Sequence, residues 1–384
     1  MSLFLSLPVE LRILIYDFCL LELQHVSGNL QPRNTHYQIL HVCRQISYEA
    51  GRLANFRSYV SLIHEDQILA FNSNISAEAA SRILHADVAI DTRMSVPASD
   101  LYLALSKLVC LRRLRVFERR RDRSIKDFVP GAQFTLEFEK TMFPISRSPQ
   151  LDSYELYLRP YKGFARIFEV VSSDSVQTLR LSGSCELAQG TKFPRITNLA
   201  INEVTWHHFD QHMEEQFAQS RLQQLQYRQY KTAFKLRDRH LNFLVLRPAS
   251  RLHRLVLLDC TGLSTQNLAT CLKLLEQLRY LALSYISVHE LDSDFVAAFP
   301  PSLLVLKLGV RNVRSMTPLL QEEHRLCDSV EDFVIMRDPP LISVYVYFRD
   351  EVMAASGRGT RWTRIAKERK FVLQLRAWEA DEIF

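Results

Sequence analysis

The chain has 384 residues, of which 47% are hydrophobic and 23% are charged, and its formal net charge is +6 at pH 7. This composition is typical of a folded globular protein, and so small a positive excess does not by itself indicate a nucleic-acid partner. Only 10 glycines occur in the whole sequence, which argues against an enzyme with a glycine-rich phosphate-binding loop.

The cysteines and the hydrophobic segments indicate the compartment. Seven cysteines are scattered without a Cys-x-x-Cys pair, so neither a disulfide framework nor a zinc ribbon is predicted. The apolar N-terminus lacks a basic start and is interrupted by Glu10, Arg12 and Asp17, which does not fit a signal peptide. No run of about 18 uncharged apolar residues predicts a membrane span. We therefore expect a cytoplasmic or nuclear protein without membrane contact.

The first predicted elements are two helices joined by a polar loop. Residues 5–20 form an apolar helical pattern in which Leu11, Ile15 and Phe18 share one face. A second helix is predicted over residues 37–56.

These residues resemble an F-box, in the variant found in fungi. The likeness rests on the motif LPxELR, which begins at Leu7, and the motif VCRQIxxEA, which begins at Val42. F-box modules are small helical hairpins that dock on the Skp-family adaptor of a cullin–RING (SCF-type) ubiquitin ligase. The resemblance therefore implies adaptor binding at the positions that match the family's contact motif, which are Leu7, Pro8, Leu11, Ile15 and Val42. Alternatively, the helices only cover the apolar end of the array that follows.

Farther along the chain, one phrase recurs: an apolar residue, two variable residues, a Leu, one variable residue and another apolar residue. Leu252, Leu255 and Leu257 form the clearest copy, and helical stretches separate the copies. The predicted strand centres are residues 88, 114, 136, 156, 179, 199, 225, 255, 281, 306 and 333. From 179 onward they are 20 to 30 residues apart, a period typical of leucine-rich repeats.

The predicted fold class is thus an α/β repeat, a leucine-rich-repeat solenoid or horseshoe. Residues 61–336 would form the repeats, residues 1–60 the F-box-like helical module and residues 337–384 a C-terminal capping segment. An F-box ahead of leucine-rich repeats is a recurrent pairing, so each assignment supports the other.

The repeat register also predicts a binding surface. If the Leu positions point into the core, the residues between them line the concave face. The predicted partner-binding residues on this face are Arg113, Arg115, Tyr157, Arg159, Arg180, Arg228, Arg254, Tyr280 and Lys307, with Glu155 and Asp332 as acidic exceptions. Because Arg pairs well with carboxylates and phosphates, we expect an acidic or phosphorylated protein segment as cargo. The alternative is that ordinary surface residues of a basic protein fall there by chance.

The remaining motifs are weaker. Residues 111–123 contain seven arginines and read best as a solvated loop after a strand, although a phosphate pocket or a nuclear-import patch has the same composition. His208 and His212 are four residues apart, but they do not form the His-Glu-x-x-His motif, so no metal site is predicted.

Two hypotheses of function follow, and neither is an enzyme. In the first, the F-box-like module docks on the adaptor while the repeats select a protein for ubiquitination. In the second, the chain is a protein–protein interaction scaffold with no ubiquitin role, and its N-terminal helices act only as a cap. Both predict no catalytic residue, no cofactor and no metal.

Overall fold

The chain divides into two compact units, one ending at Thr191 and the other beginning at Lys192. The structure is a computed structural model. It describes residues 4–21, 35–53, 57–90, 99–118, 135–136, 138–143, 149–159, 164–205, 208–229, 234–246, 251–284, 293–310, 321–338 and 341–382.

The first unit opens with helices and continues with strands and connecting helices. Its α-helices are α1 (Val9–Leu21), α2 (Arg44–Gly51), α3 (Glu65–Asn74), α4 (Ala77–Ser81), α5 (Ser99–Ser106) and α6 (Phe138–Met142), and a 3-10 helix covers Thr35–His41. Its strands are β1 (Tyr59–Leu62), β2 (His85–Ile90), β3 (Arg113–Glu118), β4 (Thr135–Leu136), β5 (Ser153–Tyr157), β6 (Phe164–Ile167), β7 (Thr178–Ser182) and β8 (Cys185–Leu187).

The second unit alternates strands with helices. Its strands are β9 (Asn198–Asn202), β10 (Gln224–Arg228), β11 (Arg254–Leu258), β12 (Tyr280–Ser284), β13 (Val305–Gly309), β14 (Ser343–Tyr347) and β15 (Val372–Gln374). Its α-helices are α7 (His208–Gln216), α8 (Asp238–Val245), α9 (Thr265–Leu274), α10 (Gln321–Met336), α11 (Asp350–Ala354) and α12 (Arg358–Arg369). Shorter 3-10 helices cover Ser293–Ala298, Ala355–Gly357 and Glu379–Glu382.

The strands form one large sheet and one small sheet. The large sheet has twelve strands in the order β1-β2-β3-β5-β7-β9-β10-β11-β12-β13-β14-β15. Neighbouring strands within each unit pair in parallel, as β2 with β3 and β11 with β12 do. The small sheet, β4-β6-β8, lies within the first unit and is also parallel. In the part of the chain that is described, no helix is long and apolar enough to cross a membrane.

The predicted leucine-rich-repeat horseshoe is wrong. The fold is α/β, built on an open twelve-stranded parallel sheet with helices, and β1 and β15 are its edges. The repeat predicted around residue 333 lies inside α10, where Leu326, Val330 and Val334 are buried at helical spacing. The strand predicted around residue 136 pairs with β6 in the small sheet. The Leu phrase marks a buried parallel strand, since such strands read as apolar runs, but it does not by itself establish a repeat array.

The segment predicted as a C-terminal cap, residues 337–384, instead adds strands to the large sheet. Two stretches that alternate like strands in the sequence are strands, and β14 and β15 extend the large sheet at one edge. Residues 378–382 then lie against one face of the sheet, where Trp378 packs with Val256, Leu258 and Ala282. On the other face, Leu257 and Leu283 line a cavity together with Leu268 of α9. This part of the sheet is therefore covered on both sides.

Residues 163–171 read as one of the helical stretches between the copies of the phrase, but the described part, residues 164–171, contains β6 and a turn. The buried carboxylate of Glu139 organises this turn, because it accepts hydrogen bonds from the backbone N–H groups of Phe168, Val170 and Val171 at 2.7, 2.9 and 3.2 Å. Phe168 has a φ of 63°, a conformation that L-residues rarely adopt. The tertiary hydrogen bonds thus outweigh the local helical pattern.

Candidate functional site

The N-terminal module is held together by an ion pair between its two motifs. Arg12 donates from Nε to Oε2 of Glu49 at 2.9 Å and from Nη2 to Oε1 at 2.6 Å. Arg12 Nη1 also donates to the backbone carbonyls of Leu5 and Leu7, and Tyr16 donates to Glu49 at 3.0 Å. The hydrogen bond from Arg12 is the main reason that the pKa of Glu49 falls to about 2. The turn before α1 is therefore tied to α2.

One side of α1 packs inward and the other is exposed. Tyr16 forms a small core with Ile46 and Ala50 of α2. Leu11, Leu14, Ile15 and Phe18 are 46%, 53%, 38% and 65% exposed, although all four are apolar. Their spacing of three and four residues places them on one side of the helix. We call these four residues the α1 apolar face.

The predicted adaptor-binding positions belong to this exposed region. Pro8, Leu11 and Ile15 are exposed, and Leu7 is half-buried. Val42, just before α2, is 66% exposed. The core of the module thus leaves four of these five side chains open to solvent.

The predicted partner-binding residues of the first unit are mostly engaged within the chain. Arg115 and Asp87 are each 2% exposed in their side chains. Arg115 donates two hydrogen bonds of 2.5 Å to the Asp87 carboxylate, which also accepts one of 2.6 Å from the hydroxyl of Tyr59. Burial, and then the negative charge of Asp87, raises the pKa of Tyr59. Arg115 is thus not a surface residue, because Asp87 on the neighbouring strand pairs with it.

A second cluster surrounds Glu155. Its carboxylate accepts hydrogen bonds from Arg113 at 2.9 Å, from Ser153 at 2.8 Å and from the hydroxyl of Tyr157 at 2.8 Å. Burial opposes ionisation of Glu155, but the positive charges of Arg113 and Arg115 lower its pKa overall. The guanidinium of Arg180 is buried and lies 4.5 Å from the centre of the Tyr157 ring.

Arg159 and Arg228 lie nearer to solvent. Arg159 is exposed, and its Nε is 3.9 Å from the carboxylate of Glu118. Arg228, in the second unit, lies 3.4 Å from both Glu203 and Asp259. Such partly exposed pairs contribute little to stability.

The last three predicted residues converge on one carboxylate from the C-terminal segment. Arg254 Nη2 and Lys307 Nζ each lie 2.6 Å from Glu382, and the hydroxyl of Tyr280 donates to the same carboxylate. Gln226 donates from Nε2 to the Glu382 backbone carbonyl at 2.7 Å. The Glu382 side chain is 2% exposed. We call Gln226, Arg254, Tyr280 and Lys307 the carboxylate site.

Aromatic rings form the wall of the carboxylate site. The Arg254 guanidinium lies 3.9 Å from the centre of the Tyr280 ring, and Lys307 Nζ lies 4.4 Å from that of Tyr345. Lys307 Nζ is also 5.8 Å from the ring of Trp378, which is fully buried. Burial, and then the charge of Glu382, raises the pKa of Tyr280 to about 12. Cations that face both aromatic rings and a carboxylate are held strongly in place.

Gly309 of β13 lies beside Trp378 and Glu379. A Cβ atom at this position would stand 3.5 Å from Cζ2 of Trp378 and 2.9 Å from Oε1 of Glu379. A Cβ atom there would crowd the Glu379 carboxylate and touch the indole at ordinary van der Waals distance, so little room is left for a larger side chain beside these two groups.

The sequence identified the cations of this site but not its anion. Arg254, Tyr280 and Lys307 follow from strand alternation, whereas Glu382 lies in the segment that was predicted to be a cap. No local pattern marks Glu382, because its contacts are with residues 75 to 156 positions away. Asp332, predicted on the same face, lies exposed on α10 instead.

Other candidate chemistry is sparse. Within the described ranges, no group of three His, Cys, Asp or Glu side chains could hold a metal ion. His212 is exposed on α7. Of the arginine-rich run, residues 111–118 are described and lead into and form β3, and residues 119–123 lie outside the described residues. Comparison with protein-family models and with curated proteins finds no match to this chain.

Proposed function

We propose that the chain is a protein-binding receptor of a cullin–RING ubiquitin ligase. Residues 1–60 dock on a Skp-family adaptor, and the sheet binds the protein to be modified. The chain catalyses no reaction and needs no cofactor. It acts by proximity, since holding two proteins together raises their effective concentration. The cytoplasm or the nucleus is the proposed compartment.

The observation that carries the proposal is the α1 apolar face. A monomeric protein gains about 25 cal/mol for each Å² of apolar surface that it buries, yet four apolar side chains on one side of α1 are exposed. Contiguous exposed apolar surface of this kind marks a binding site. Leu11 and Ile15 on this face are also positions that match the contact motif of the F-box.

The charge pair beneath this face supports the same role. Arg12 and Glu49 belong to the two motifs that resemble an F-box, and they join the turn at Leu7 to α2. A helix that is held at both its start and its inner side presents its outer side chains in one arrangement. Such preorganisation lowers the entropy cost of docking.

Adaptor binding is tested with a purified Skp-family adaptor and the full chain. We expect the double variant Leu11→Asp, Ile15→Asp to lose binding at least about tenfold, because it places two charges in an apolar interface. Leu69→Asp is the matched control, since Leu69 is also a half-exposed leucine on a helix. Binding is measured by biolayer interferometry, and circular dichroism checks that both variants are folded.

The outcomes separate the two hypotheses. If the wild-type chain does not bind the adaptor, or if the double variant binds as well as the wild type, the ligase proposal is wrong. A scaffold without a ubiquitin role would then be the remaining function, with partners to be sought on the sheet.

A further inference from the structure

We propose that the carboxylate site recognises an acidic protein segment with a tryptophan anchor, and that Trp378–Glu382 occupies this site as a displaceable internal ligand. The partner is thus a segment that carries a buried indole and, about one helical turn later, a carboxylate. The inference concerns the second unit only and does not depend on adaptor docking.

The chemistry of the site is that of a receptor for one carboxylate. Two cations, a phenol and an amide converge on Glu382. With the segment removed, Arg254 and Lys307 would expose two positive charges above the apolar residues Val256 and Ala282. Charge-assisted hydrogen bonds in such partly desolvated surroundings favour an incoming carboxylate over a neutral group.

The apolar residues next to the carboxylate site favour a tryptophan as the anchor of the bound segment. Trp378 is fully buried against Val256, Leu258 and Ala282, with Tyr345 beside it. Gly309 leaves room for the indole. Tryptophan residues in such pockets contribute a large share of the binding energy in protein interfaces. An acidic segment without an aromatic residue would fill only half of this site.

Several observations indicate that the internal segment can leave. Residues 375–377, which join it to β15, are exposed, and β15 is a three-residue strand at the edge of the sheet. Trp378 Nε1 is buried, and no acceptor lies within hydrogen-bonding distance among the described residues. A buried N–H without a partner is destabilising, which weakens the hold of the site on the segment. Its covalent attachment offsets this cost by keeping its effective concentration high.

The test uses the full chain and a fluorescein-labelled peptide with the sequence of residues 374–384. In the variant Trp378→Ala, Glu382→Lys, the internal segment loses both its anchor and its anion, while the carboxylate site is unchanged. We expect this variant to bind the peptide at least about tenfold more tightly than the wild type, because the internal competitor is weakened. Fluorescence anisotropy gives the two dissociation constants.

Two controls define the specificity of this binding. Adding Gly309→Val to the double variant should return binding to background, since the new side chain crowds the positions that the indole and the neighbouring carboxylate of the segment take. A peptide with Lys in place of its residue corresponding to Glu382 should fail to bind. Glu368→Lys, a charge reversal at an exposed position of α12, should leave the wild-type affinity unchanged.

A second measurement needs no substitution. Excess unlabelled peptide should increase the amide hydrogen exchange of residues 374–382 in the wild-type chain, because it displaces the segment. If the double variant is folded and binds the peptide no more tightly than the wild type, the segment is a permanent part of the core and the proposal is wrong. If the double variant does not fold, unchanged exchange in the wild type overturns the proposal.

Discussion

Two buried ion-pair clusters, one in each unit, are built in different ways. In the first unit, Arg115 and its carboxylate partner Asp87 lie on the neighbouring strands β3 and β2. In the second unit, Arg254 and Lys307 lie on strands, but their carboxylate belongs to the C-terminal segment. A pair built from adjacent strands cannot separate unless the sheet opens. A pair between a sheet and a terminal segment separates when the segment alone unfolds.

The largest predicted change in the free energy of unfolding concerns the ion pair between Arg115 and Asp87. Arg115→Met leaves the Asp87 carboxylate buried without its cation, and we expect a loss of about 3–5 kcal/mol in the free energy of unfolding. Adding Asp87→Leu should recover much of that loss, because the unpaired charge is gone. Urea denaturation measures both variants. A loss below about 1 kcal/mol for Arg115→Met would show that water or another group compensates Asp87.

The second prediction compares two buried tryptophans. Trp362 on α12 and Trp378 are both fully buried in the second unit. We expect Trp362→Ala to cost about 3–5 kcal/mol, as large-to-small changes in a core do. Trp378→Ala should cost less than half as much, because only the terminal segment detaches. Thermal unfolding of the two variants checks the ratio, and equal losses would place Trp378 in the cooperative core.

A smaller effect is expected for the partly exposed cation of the carboxylate site. Arg254→Met should lower the free energy of unfolding by about 0.2–1 kcal/mol, since its side chain is 21% exposed and Lys307 still pairs with Glu382. The same variant should increase the hydrogen exchange of residues 378–382. A large loss of stability without a change in the hydrogen exchange of residues 378–382 would contradict the idea that the C-terminal segment detaches from the sheet by itself.

The last prediction is a pH dependence that appears only in strongly alkaline solution. The pKa of Tyr280 is raised from 10.0 to about 12, first by burial and then by Glu382. Because the folded form holds this proton more tightly, the contact contributes its full stability below pH 10 and loses it as the pH rises toward 12. The absorbance at 295 nm, wild type minus Tyr280→Phe, should show one tyrosine that ionises near 12. Ionisation of Tyr280 near 10 would mean that its hydroxyl is neither buried nor held against Glu382.

Much of the strand layout could be predicted from the sequence. Nine of the predicted strand centres, including those at Leu114 and Leu255, lie in strands of the large sheet. The apolar alternation of these residues reflects burial, which is a local property of each strand. The centre at Phe333 was misread because Val330, Phe333 and Ile335 have the spacing of the Leu phrase, whereas Val330 and Val334 are buried at helical spacing in α10.

The candidate site could be predicted only in part, because its charges are paired over long distances in the chain. Strand register placed Arg115 and Arg254 on a sheet face correctly. It also led to the prediction that both cations are open to an acidic segment of another protein. Their carboxylates, Asp87 and Glu382, lie 28 and 128 residues away. Only the tertiary structure shows that the chain supplies its own acidic residues. The α1 apolar face was indicated by helical spacing, although spacing alone cannot show which side of a helix meets solvent.

Gly309 has a genetic consequence. Glycine and valine codons differ by one base, so a single mutation can put two methyl groups beside the indole of Trp378. Valine by itself suits β-structure. If the two proposals above hold, such an allele would weaken binding of the internal segment and of a partner alike, so its phenotype should resemble loss of function.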